Sequence, residues 1–100
     1  MSTDAARDCC FAIRELVVRH PGGTSSEAAA AAVRKLCRIA AREADDQRCA
    51  ELLRRVEDYA GELFSGCGSG NWVRRELLRC LENFRARLYE IETSGDVTVS

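Results

Sequence analysis

In four stretches of this chain, apolar side chains recur every three and four residues, and three interruptions rich in glycine, proline or aspartate hold the stretches apart. That step is the period of a helix with one buried face; a strand would alternate at every second residue. The first stretch runs from about Asp4 to Arg19, with Ala6, Cys9, Cys10, Ile13, Leu16 and Val17 on one face and Ser2, Thr3 or Asp4 as its cap. His20-Pro21-Gly22-Gly23 ends it, because proline biases the residue before it away from helix and glycine supplies turn conformations. The second opens on Thr24-Ser25-Ser26-Glu27, a capping box with Thr24 as N-cap, and continues through five alanines to Glu43 or Ala44. Ala29, Val33, Leu36 and Ala40 form its stripe, widened by Ala32, Cys37 and Ile39.

Asp45 or Asp46 caps the third stretch, whose inner face is Cys49, Leu52, Leu53, Val56, Tyr59, Ala60, Leu63 and Phe64. Its outer face offers Glu51 with Arg55 and Arg54 with Asp58 as ion pairs four residues apart. Ser65-Gly66-Cys67-Gly68-Ser69-Gly70 breaks the chain again. Asn71, or failing that Ser69, then caps a fourth helix striped by Val73, Leu77, Cys80, Leu81, Phe84, Leu88 and Ile91. The apolar repeat stops at Thr93. The expected fold is therefore all-α, a four-helix bundle or a pair of α-hairpins, with a helical domain over 1–92 and a disordered tail or truncated linker over 93–100.

One hundred residues make one domain. Of its hydrophobic 46%, much is alanine and cysteine, so the core is small in side-chain volume and the fold is expected to be marginal without a partner. No apolar run approaches the ~20 residues of a membrane span, and the first residues carry no signal-peptide pattern, so a cytoplasmic setting is expected. In that setting the six cysteines, with no C-x-x-C among them, read as buried free thiols; Cys67, in its glycine loop, is the one candidate for reactivity. A net charge of −1 argues against a general nucleic-acid binder or a polybasic membrane anchor.

Catalytic chemistry is not visible. The lone histidine, His20, sits beside a proline, and no Ser-His-Asp or Cys-His set can be assembled. The glycine run lacks the Gly-Lys-Ser/Thr ending of a phosphate loop and follows a helix instead of a strand. No metal or cofactor site is expected, and the chain reads as a non-enzyme. Two basic clusters and one aromatic residue remain. Arg34, Arg38 and Arg42 step four residues apart beside Lys35, which reads first as a solvated face and second as a stripe that meets an acidic partner. Arg74, Arg75 and Arg79 crowd the start of the fourth helix, where the helix dipole disfavours positive charge. Trp72 stands beside them, either as a staple across the loop or as an interface anchor.

Several segments together carry a family likeness: Pro21-Gly22-Gly23 followed by Thr24-Ser25-Ser26-Glu27-Ala28-Ala29, then Val33-Arg34-Lys35-Leu36, Ala50-Glu51-Leu52-Leu53-Arg54-Arg55, and Gly70-Asn71-Trp72-Val73-Arg74-Arg75-Glu76-Leu77-Leu78. Over about residues 10 to 90 the chain resembles the N-terminal helical domain of the regulatory subunits of eukaryotic translation initiation factor 2B, the beta subunit most of all. The resemblance implies a non-catalytic module of translational control. Its implied partners are the other regulatory subunits and the alpha subunit of initiation factor 2, with nucleotide exchange carried by other subunits. The family continues into a Rossmann-like domain that mediates most assembly, whereas this chain stops soon after the fourth helix, as a fragment or a stand-alone protein. The alternative is an unrelated helical adaptor, viral or parasitic, that buries a partner helix in an apolar groove between its own helices; its mark would be an exposed groove larger than a few hundred Å².

Overall fold

The computed structural model describes residues 3–21, 24–66 and 70–99, with Gly70 and residues 94–99 as backbone alone. Four helices, α1 (Thr3–Arg19), α2 (Glu27–Ala44), α3 (Gln47–Phe64) and α4 (Gly70–Val99), account for nearly all of it. α1 packs against α2 and α4, and α3 packs against the same two, so chain order is also the order around the bundle. Short connections make successive helices antiparallel, giving the up-down form of the expected all-α fold. The molecule measures 51 × 21 × 20 Å. Its length belongs to α4, since 30 residues at ~1.5 Å each make a rod of ~45 Å.

Each helix buries the face its periodicity marked. Ile13 and Val17, Val33, Leu53 and Val56, and Leu77, Leu81, Phe84 and Leu88 meet along the axis. Ala6, Ala40, Ala44 and Ala60 share the interior with Cys10, Cys37 and Cys49, so the helices approach closely around a core of modest volume. Leu16, Leu36, Ile39, Leu52, Tyr59 and Ile91 lie at its margin, partly covered. The pairs Glu51–Arg55 and Arg54–Asp58 are not formed; the ion pairs among the described residues are instead Arg7–Asp4, Arg7–Glu92, Arg19–Glu15, Arg87–Asp46 and Arg87–Glu90.

The junctions depart from expectation in instructive ways. The N-cap of α2 is Ser26, not Thr24: its hydroxyl accepts from the Ala29 amide at 3.2 Å. Thr24 is otherwise engaged, its hydroxyl donating to Pro21 O at 2.9 Å. The chain stays extended until Ser26 because Ser25 forms a single antiparallel bridge with Ser65, and the Ser26 amide donates to Phe64 O at 2.8 Å. Two residues join α2 to α3. Asp45 closes α2 in the left-handed region at φ 47°, a conformation aspartate tolerates, and Asp46 caps α3 by accepting from the Cys49 amide at 3.0 Å. Helix α4 already includes Gly70, so Asn71 is inside it and not its cap; Ser69 lies outside the described residues.

Past Thr93, where the apolar repeat ends and a tail was expected, the backbone stays helical to Val99. Two local features favour this. The Thr93 hydroxyl bonds back onto Tyr89 O and Glu90 O, and Glu92 accepts from Thr3 Oγ1 and Arg7 Nη2, both at 2.6 Å. Because Glu92 meets the first turn of α1, the residues that follow it extend past the beginning of that helix.

Candidate functional site

The residues singled out near the start of α4 separate into two roles. Arg74 is half-buried, and its Nη2 donates to the carbonyl of His20, at the C-terminal end of α1. That carbonyl lies at the negative end of the α1 dipole, so the charge that conflicts with the dipole of its own helix is matched by that of its neighbour. Nη2 of the Arg74 guanidinium is thus engaged inside the protein, while its Nε is buried with no hydrogen-bond partner among the described residues. His20 is itself buried. Its Nε2 donates to Thr24 O at 2.9 Å, since a carbonyl can only accept, and its ring stands edge-on to Phe64 with centroids 4.6 Å apart. Arg74, His20, Thr24 and the Ser25–Ser65 bridge thus close this end of the bundle.

Trp72 is 49% exposed and sits edge-on to Tyr59 of α3, with ring centroids 6.3 Å apart. Part of its surface therefore joins α3 to α4, as a staple would, and part stays open to solvent. Arg75 and Arg79 are exposed and form no ion pair among the described residues. Cys67, the candidate for thiol reactivity, lies outside the described residues.

The second cluster keeps its charges free. Between Ala28 and Arg42 the exposed positions of α2 are Ala28, Ala31, Arg34, Lys35, Arg38 and Arg42, four cations without an acid. None of the four is ion-paired among the described residues. Ala31, Arg34, Lys35, Arg38, Ile39 and Arg42 line one shallow depression. Towards α3, Arg34 also borders a depression containing Glu57, Asp58 and Gly61. Because α2 and α4 occupy diagonal corners of the bundle, their outer faces point away from each other. The six arginines proposed from the sequence therefore do not form one surface. Arg34, Arg38 and Arg42 share one, Arg75 and Arg79 lie on the opposite side, and Arg74 is turned inward.

The opposite end of the molecule holds an ion pair that the sequence did not mark. Arg87 of α4 reaches the α2–α3 turn, with Nη2 2.9 Å from Asp46 Oδ1 and Nε 3.1 Å from Oδ2. The hydrogen bonds from Arg87, reinforced by the Cys49 amide, bring the Asp46 carboxyl down to about 2. Both residues line a surface depression of about 740 Å³ between α3 and α4, whose walls also carry Gln47, Arg48, Glu51 and Glu90. The five described cysteines are buried and free. Burial pushes Cys10 up to about 11 and Cys37 to about 12; burial and the Asp46 carboxylate take Cys49 to about 12. These thiols stay protonated near neutral pH and act as small apolar side chains.

Sequence reasoning also missed three exposed apolar residues, Phe11, Val18 and Tyr89. A signal was present in α1, since Phe11 and Val18 are seven residues apart and fall off the core stripe. The described depressions are bordered by charged side chains, and none is an apolar groove of the kind an adaptor for a buried helix would show. Among the described residues no helix is long and apolar enough to cross a membrane. Neither a protein-family model, nor a curated protein, nor a solved structure matches the chain.

Proposed function

We propose that the chain is a non-catalytic protein-interaction domain that receives its partner on the outer face of α2. One observation carries this reading: Arg34, Lys35, Arg38 and Arg42 lie in a row on a rigid helix, with no acid between Ala28 and Arg42 and no ion pair to any of them among the described residues. Like charges four residues apart on a helix repel by a few tenths of a kcal/mol per pair. A partner's carboxylates would relieve that repulsion and be steered toward the patch at long range.

Within this reading, the narrower proposal is a cytoplasmic role in translational control, as a module like the regulatory subunit of the exchange complex for initiation factor 2. The segments around Ala28–Leu36 and Gly70–Leu78 support it. The test uses the intact chain and its R34E/R38E/R42E variant as baits in an extract of its source cells, after circular dichroism has shown both to be folded. Immunoblots are read for the alpha subunit of initiation factor 2 and for the regulatory subunits. Recovery by the native chain and loss with the variant is expected. Recovery of none of them rejects the translational role; recovery that ignores the variant rejects α2 as the docking face.

A further inference from the structure

We infer that the occupant of the α2 face is an acidic, amphipathic α-helix of a partner protein, lying along α2; this rests on the interaction-domain reading above. The first ground is spacing. Counted from Ala31, the cations fall three, four, seven and eleven residues on, the same rhythm by which helices bury a face. Successive cations at 34, 38 and 42 are therefore about 6 Å apart along the axis, the separation of carboxylates four residues apart on a second helix. The second ground is relief. Ala28 and Ala31 are exposed and end at Cβ, so a helix backbone can come close there, and partly buried Ile39 supplies an apolar contact beside Arg38 and Arg42.

The third ground is what borders the stripe. Glu57 and Asp58 flank Arg34 on the α3 side, and the exposed Glu62 stands one turn further along α3. A nucleic-acid strand or an anionic bilayer is negative across its breadth and would meet these acids together with the cations. An amphipathic helix carries its acids along one stripe and can turn other side chains toward α3. The positive strip is one helix face wide, which suits a rod and not a sheet of charge.

Lys35 makes the proposal open to a direct chemical test, because it is the sole lysine in the chain and stands within the stripe. The probe is a stapled helical peptide of about 16 residues, long enough to hold a helix, with an Ala/Leu seam and glutamates four residues apart. A companion probe has every glutamate replaced by glutamine. Binding to the full chain is followed by amide chemical shifts, and a zero-length carbodiimide then joins any amine and carboxylate in contact.

The glutamate probe is expected to shift the amides of 28–42 and to couple to Lys35. K35R should still bind it, since the charge remains, and should lose the coupling at that position. R34E/R38E/R42E should bind at least ~10-fold more weakly, as expected when several steering and pairing charges are reversed. R14E/R48E/R54E, with the same change in net charge at other exposed sites, should stay within ~2-fold. The inference is overturned if the glutamine probe binds equally well, if both triple variants lose binding alike, or if a single-stranded oligonucleotide or phosphatidylserine vesicles displace the probe from α2. If the probe fails while an α2-dependent partner is still captured from extract, the helical occupant is rejected and the interaction domain stands. If neither binds, both are rejected.

Discussion

Two arginine clusters that look alike in the sequence differ in the structure through one member, Arg74. At the start of α4, Arg74 is drawn against the end of α1 and completes a buried junction with His20 and Thr24. On α2, Arg34, Arg38 and Arg42 form no ion pair among the described residues. A run of basic residues therefore says little by itself about who reads it. The informative quantity is whether a carbonyl or carboxylate of the same fold already accepts from it, because an engaged guanidinium contributes to stability and a free one to recognition.

The comparison is broken most directly at Arg74. R74A should cost about 2 kcal/mol, the range for a hydrogen bond from a charged donor whose partner is left behind. In a domain of this size that lowers Tm by about 8–16 °C in a thermal melt; a loss under ~2 °C would return Arg74 to the surface set. For the same reason R74E/R75E is a poor binding test, since it perturbs folding and recognition together.

The next largest effect is expected at Asp46, which pairs with Arg87 at the other end of the bundle. D46A should cost about 1–2 kcal/mol through loss of the α3 cap, with D46N milder because asparagine also caps. The pH dependence has a definite sign. The Asp46 carboxyl is held at about 2, below its unfolded value of about 3.9, so its contribution is complete above pH ~4 and fades as pH falls toward 2. Acid unfolding of D46N should be shallower over that window; an identical acid limb in D46N and the native chain would show that the pair does not contribute.

Two smaller effects sharpen the outward side. Gly61 is exposed in the last turn of α3 and an added Cβ would meet nothing within 4 Å, so G61A should stabilise by about 0.5–1 kcal/mol in urea unfolding. R38E places an acid four residues from both Arg34 and Arg42 and should stabilise by about 0.3–0.5 kcal/mol. The same substitution should weaken capture of an acidic partner. Stability and binding moving in opposite directions would separate the α2 face from Arg74, where both are expected to fall.

The helices and their inner faces were legible because amphipathic spacing depends on nearest turns alone; Val73, Leu77, Leu81, Phe84 and Leu88 could be placed without knowing what they touch. What escaped depends on groups far apart in the chain. Thr24 fits a capping box locally, yet the Ser25–Ser65 bridge holds the strand extended until Ser26. Arg74 and Arg87 are paired 54 and 41 residues away, with His20 and Asp46. No periodicity encodes such partners. The α2 stripe was readable as a row of charges, but that its cations form no ion pair with the neighbouring helices became visible only once those helices were in place.

The buried thiols have a practical consequence. Cys9 and Cys10 lie in α1, Cys37 in α2, Cys49 in α3 and Cys80 in α4, so every helix carries at least one shielded sulfur. A small alkylating reagent can reach such a sulfur only when its helix swings open, and the rate at which each one is capped then reports the local opening equilibrium. The protein thus contains its own set of stopwatches, two in α1 and one in each other helix. They would show whether a docked partner quiets α2 alone or slows the breathing of the whole bundle.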